Sequence, residues 1–183
     1  MPLKDLIKDN HDRAENHRFV KLLLSGSIPK EIYADLLLNQ FLCYTKLELL
    51  AKHYGLLEGI EEICRAEAIE TDIIETFLPA KIYQSTTDYL EYLETVPKEK
   101  LMGHIYAKHF GDLYGGQMIK KVIPGSGRMY EFDDRTGLIA KVRERLSDDL
   151  GDEANMALDF AIKLFDEIAD NHNLLDTDEK EPV

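Results

Sequence analysis

IYAKHFGDLYGGQMIKK, residues 105–121, is the stretch on which the fold turns. Both flanks, IYAKHF and QMIKK, have helical composition, yet GDLYGG at 111–116 puts three glycines around one aspartate. A glycine in a helix interior costs about 1 kcal/mol relative to alanine, so this segment needs a use for the missing side chains. Gly111 and Gly115 are four residues apart and lie on one face of a helix. Without a Cβ at either, the backbone can lie against a planar ligand and the helix can bend. The same spacing also serves close packing between two helices, and both readings stand on these residues alone. Asp112 is accordingly either a surface charge or a buried carboxylate that anchors water.

Apolar residues on either side keep helical spacing, with no alternating strand pattern and no hairpin turn. Leu3 to about Asn16 reads as a first helix that runs on toward Leu24, before the SGSIP break. EIYADLLLNQFLCYTKLELLAKHY, entered through Pro29 and closed by Gly55, reads as a long and mostly buried helix. Residues 57–77 predict another, stopped by Pro79, and STTDYLEYLETV a shorter one capped by Ser85. The opening stretch belongs to a helix from Lys98 to Ile123, terminated by PGSG at 124–127. Two more helices follow at about 134–148 and 152–171. The expectation is an all-α, single-domain fold over residues 1–172, with a polar, flexible tail at 173–183.

Composition narrows the function. The chain has 183 residues, 44% of them hydrophobic, enough for one proper core. Its net charge of -13 argues against non-specific nucleic-acid binding, which needs clustered positive charge. MPLKDLIKDNHDRAEN carries acids early and no apolar run, so it is not read as a signal peptide. Nothing approaches the ~18 apolar residues of a membrane span. Cys43 and Cys64, without CxxC spacing, read as core thiols in a reducing compartment. A soluble cytoplasmic protein is expected, with no nucleic acid and no membrane among its partners.

A second pattern lies at the N-terminus. Lys4, Lys8, His11 and Glu15 are spaced by 4, 3 and 4, which places them within roughly 60° on a helix surface. Two ammoniums, an imidazole and a carboxylate therefore share a face. The row is either a solvated stripe held by i,i+4 ion pairs or a ligand-binding face. In the second case a neutral imidazole ligates a metal or heme iron and the lysines hold anionic groups of the same ligand. Glu15 then fixes His11 directly or through water. An axial histidine on one helix and a glycine floor on another would sandwich a flat, anionic, iron-bearing macrocycle. Of the other histidines, His17 is expected to face outward. His104 and His109 share the glycine helix and could reach iron from above, while His53 and His172 sit near helix ends.

HDRAEN at 11–16 and YAKHFGDLYGGQ at 106–117 resemble the two signature regions of heme oxygenases. LF at 164–165, after DEAN at 152–155, resembles the last helix of that family. The similarity runs in order along nearly the whole chain, toward the soluble bacterial, plastid or phage-type members. It implies a fold in which heme b lies between a proximal and a kinked distal helix. It implies His11 as the axial iron ligand, with Glu15 nearby. Gly111 and Gly115 match the distal glycines whose backbone touches the heme, and Gly116 beside them is counted with the heme-binding set. Asp112 matches the aspartate that orders a water chain for proton delivery. Lys4, Lys8, Tyr106 and Arg143 fall where the family contacts the heme propionates. Three positions depart from the pattern: Tyr114 where many members have serine, Lys108 in place of a common arginine, and Ala161 where asparagine is frequent.

The resemblance makes heme both substrate and cofactor. With O2 and an external reductant the ring opens to biliverdin, of the IX-alpha type, carbon monoxide and Fe2+. No flavin or iron–sulfur motif is present, so a ferredoxin is the expected donor. It would dock on Lys4, Lys8, Lys108, Lys120, Lys121 and Arg128, with a bilin reductase as a further partner downstream. A non-catalytic heme carrier or sensor is the alternative from another class. A thiaminase-type helical hydrolase would need a catalytic cysteine in a polar site, which neither Cys43 nor Cys64 offers. Asp112 favours the oxygenase, because a pure binder has no use for a distal proton relay.

Overall fold

The computed structural model describes residues 1–175; residues 176–183, most of the expected polar tail, lie outside the described residues. Every regular element among the described residues is helical. The spine is the long helix at Lys30–His53, designated α4 because three shorter ones precede it: α1 (Leu3–Leu6), α2 (Lys8–Glu15) and α3 (Arg18–Leu24). Buried residues face several sides of α4, as its run of apolar residues on all sides dictates. Leu47 and Ala51 join a core with Leu101, Leu113 and Val142. Tyr33, Leu37 and Tyr44 join a second one with Phe19, Tyr130 and Ile168. Around this spine stand α5 (Ala66–Thr76), α6 (Gln84–Leu93), α7 (Leu101–Ile105), α8 (Gly111–Lys120), α9 (Arg135–Arg143) and α10 (Gly151–Asn171). α10 also feeds both cores, through Ala154 and Leu158 at one end and Leu164 and Ile168 at the other.

Several boundaries differ from the expectation, each for a tertiary reason. The N-terminal helix breaks at Ile7 and again at Asn16 and His17. His17 takes an extended backbone and its Nδ1 accepts the N–H of Phe19, which starts α3 and drives Phe19 into the core. Residues 57–65 form no α-helix, only a 3-10 turn at Glu61–Ile63. Arg145 donates to the carbonyls of Leu56 (2.7 Å) and Glu58, and Arg65 to those of Cys64 (2.8 Å) and Glu62 (2.7 Å). Those carbonyls are satisfied by side chains rather than by a helical ladder. Ser85 does not cap α6; it lies in the first turn, and Glu167 of α10 accepts the N–H groups of Gln84 (3.1 Å) and Ser85 (2.9 Å) instead. The distal helix ends at Lys120, short of the expected Ile123, and PGSG lies in the turn that follows. Gly125 and Gly127 adopt φ of 85° and 62°, which L side chains resist, and the returning strand of chain donates two N–H groups to Asp72 of α5.

No helix among the described residues is long and apolar enough to cross a membrane.

Candidate active site

The glycine segment sits where the backbone is widest. Tyr106–Phe110 forms a π turn between α7 and α8, a feature often found at functional sites. The break in regular α-helix thus lies directly before the glycines, and Gly111 itself has ordinary helical angles, φ -59° and ψ -42°. The glycines are used for what they lack. A Cβ added at Gly111 or Gly115 would meet nothing within 4 Å, so each leaves bare backbone beside open space. A Cβ at Gly116 would fall 2.5 Å from Cδ1 of Tyr130. Gly116 is therefore a packing glycine turned to the core, and its expected place in the heme-binding set is corrected.

The open space beside Gly111 is a cleft of about 710 Å³ between the π turn and α8 on one side and the N-terminal helices on the other. Lys4, His11, Tyr106, Gly111, Tyr114 and Arg143 line it. A smaller chamber of about 220 Å³ shares His11 and Gly111 and has Glu15, Tyr44, Lys108 and Asp112 among its walls. Residues a hundred positions apart thus line shared space, but three of the expected set do not. Gly115 and Gly116 are in neither lining. Lys8 is also absent from both; it is exposed and paired with Asp12 at 2.6 Å.

His11 stands at the junction of the two spaces. Its Nδ1 is 3.9 Å from Glu15 Oε2 and 3.9 Å from Asp12 Oδ1, too long for a hydrogen bond and suited to a bridging water. Its Nε2 has no protein partner among the described residues. An imidazole with one nitrogen turned to carboxylates and the other left open is the donor set an axial iron ligand requires. The bare glycine backbone and the size of the cleft fit a flat macrocycle, so the residues present fit heme.

Asp112 is built differently. Tyr44 donates to its Oδ2 at 2.5 Å, and burial pushes the carboxyl up to about 7, against the opposing pull of that hydrogen bond and of Lys108 and Arg65. Some surface of Asp112 remains accessible through the chamber, while the carboxyl itself is ringed by protein. Tyr44 packs on the ring of His109 with centroids 4.4 Å apart. His109 in turn bonds Glu48 through Nε2 at 2.9 Å, and Glu48 also accepts the backbone N–H of Arg65 at 2.5 Å. Burial holds His109 below its ordinary value, so the ring is neutral at pH 7. A fully buried stack thus holds the phenol that orients Asp112.

The remaining expectations sort themselves by contact. His104 and His109 do not face the cleft. His104 is taken up by Tyr89 (2.7 Å) and Glu153 (2.9 Å), and His109 by Glu48. His17 does not face outward: its side chain is 11% exposed and bonds Asp166 at 2.6 Å. His172 ends α10 and bonds the buried Asp35 at 2.8 Å. Lys108 is not on a docking surface. Its Nζ lies over the rings of Tyr44 (5.4 Å) and Tyr89 (5.3 Å) and faces the inner chamber. Cys43 and Cys64 are free, and burial raises both thiols. Sequence reasoning missed Tyr44 and Glu48. Both lie on α4, more than sixty residues before Asp112 and His109, and nothing local marks them.

The chain matches the family model described as heme oxygenase over residues 1–167. It is 28% identical to heme oxygenase 1 of Synechocystis sp., over 92% of this chain and 84% of that protein. It is 28% identical to heme oxygenase 2 of Oryctolagus cuniculus, over 91% of this chain and 64% of that protein. The crystal structure of heme oxygenase-1 from the cyanobacterium Synechocystis sp. in complex with heme aligns with a TM-score of 0.80 at 27% identity, covering 92% of this chain and 91% of that one. The chain belongs to the heme oxygenase family.

Proposed function

We propose that the protein cleaves heme oxidatively to biliverdin, carbon monoxide and Fe2+, using O2 and electrons from a separate donor. One observation carries the reading. A single chamber floored by Gly111 is lined by an imidazole with an open Nε2 and by a carboxyl that holds its proton to about 7.

Heme, when bound, supplies both the iron at which oxygen is reduced and the ring that is oxidised. His11 would hold the iron through Nε2, with Glu15 on the Nδ1 side to fix the ring. Lys4, Tyr106 and Arg143 hold the carboxylates at the mouth of the cleft. The bare backbone at Gly111 and Gly115 admits the macrocycle and puts no side chain in the place oxygen must occupy. Asp112 stores a proton near neutral pH, with the Tyr44 hydroxyl fixing its orientation, and passes it through chamber water.

Electrons come from a ferredoxin-type donor, since the sequence has no flavin or iron–sulfur motif of its own. Lys4, Lys121 and Arg128 are the exposed cations left of that set for docking it, because Lys108 points inward and Lys8 and Lys120 are paired with Asp12 and Glu131 at 2.6 and 2.8 Å. Turnover with ferredoxin is expected to depend on ionic strength, and charge reversal at those three residues to flatten that dependence. The direct test supplies heme, O2, a ferredoxin and its reductase, then identifies the bilin by chromatography. Biliverdin that requires all of them is expected. Heme that binds and is never converted, with this donor or a chemical reductant, would leave the protein a carrier.

A further inference from the structure

We infer that Tyr114 is a carboxylate-recognising residue that works as a pair with Arg143; the inference rests on the function proposed above and deepens its account of substrate binding. Arg143 ends α9 and turns its guanidinium into the cleft. The chain carries 35 acidic against 22 basic residues, yet no described carboxylate pairs with Arg143. Its one side-chain hydrogen bond goes to the hydroxyl of Tyr114. Its Cζ also stands 5.5 Å from the Tyr114 ring centroid and 5.9 Å from that of Phe110. A guanidinium has five N–H donors, so most of its capacity is unspent.

Tyr114 completes the pattern. Its oxygen accepts from Arg143 and so must direct its own proton elsewhere, and no described residue accepts it. A free O–H beside free N–H groups of a cation matches the two oxygens of a carboxylate. The ring is held for this use: it meets Phe110 edge-on at 4.9 Å, and the Arg135 Cζ stands 5.8 Å from its centroid, with Nε bonded to the Leu113 carbonyl. The surrounding wall is apolar at Phe110 and Leu146, which suits an acid group carried on an apolar frame. Asp148 lines the same cleft and accepts the N–H of Leu3 at 3.0 Å. Its negative charge disfavours an incoming anion beside it, away from Tyr114 and Arg143.

Optical titration of the full chain with iron protoporphyrin IX and with its dimethyl ester, which has no free acid, tests the pair. Tyr114→Phe keeps the ring and removes only the hydroxyl. It should weaken binding of the diacid about tenfold, the usual size for a hydrogen bond to a charged group, and change the ester less than about twofold. In an Arg143→Leu background the same substitution should lose most of its effect. Equal effects on diacid and ester, no effect on either, or a full effect without Arg143 would each overturn the assignment while leaving heme binding intact. Wild-type protein that binds neither ligand would overturn this inference and the proposed function together. An unchanged melting temperature for Tyr114→Phe separates recognition from folding.

Discussion

The two walls of the cleft are built to opposite standards. On the proximal side, α2 has no buried residue, and His11 reaches Glu15 and Asp12 only at 3.9 Å. On the other side, Asp112 bonds Tyr44 at 2.5 Å and His109 bonds Glu48 at 2.9 Å, and the Tyr44 and His109 rings pack with centroids 4.4 Å apart. Under the proposed function, the helix that carries His11 is left exposed for a ligand, whereas the buried bonds around Asp112 are already in place. Binding is left adaptable, and the proton chemistry is fixed before substrate enters.

The comparison breaks most sharply at His11. His11→Ala should abolish turnover, with partial recovery on adding imidazole, yet leave stability within about 0.5 kcal/mol because the site is exposed. Turnover assays and denaturant unfolding read the two effects separately. Full activity in the variant would remove His11 from the account.

The glycines sharpen the contrast within one helix. Gly116→Ala drives a Cβ to 2.5 Å from Tyr130 and should cost about 1–3 kcal/mol of stability. Gly111→Ala and Gly115→Ala place a Cβ in open space and should gain up to about 1 kcal/mol in ligand-free protein, while weakening heme binding. Unfolding curves without heme, followed by heme titration, check both signs. Uniform behaviour of the three would mean that all are packing glycines.

Asp112 makes a pH prediction. An unfolded aspartate ionises near 3.8, and the folded one keeps its proton to about 7. Between those values the native state binds more protons than the unfolded one, so stability falls as pH rises. The contribution is whole below about pH 4 and lost as pH climbs through 7. Wild type should therefore lose stability relative to Asp112→Asn across that window; parallel curves would show an Asp112 carboxyl that ionises normally. The smallest effect belongs to Lys8. Lys8→Ala removes an exposed, solvent-screened pair with Asp12 and should leave stability at the wild-type value and heme affinity within about twofold. A large loss of affinity would bring Lys8 into the cleft after all.

What could be read from sequence was whatever sits on a local period. The helix order, the face shared by Lys4 and His11, and the open side of Gly111 and Gly115 follow from spacings of three and four. Contacts made across the fold were not legible. Tyr44 meets Asp112 from 68 residues away, and the helix expected over 57–65 yields to Arg65 and Arg145, whose guanidiniums take its carbonyls. Lys108 looked like surface charge, but the π turn before α8 offsets the helix and sets its ammonium over two buried phenols. Gly116 had the same composition signal as Gly115 and the opposite surroundings, because one residue turns a helix by about 100°.

Under the proposed function, the buried carboxyl of Asp112 directs chemistry on a heme that the His11 side merely holds. Product analysis of wild type and Asp112→Ala, loaded with heme and given the same reductant and O2, tests it most directly. Wild type should yield biliverdin, and Asp112→Ala should bind heme with unchanged affinity and yield none. Biliverdin from Asp112→Ala at the wild-type rate would contradict the account.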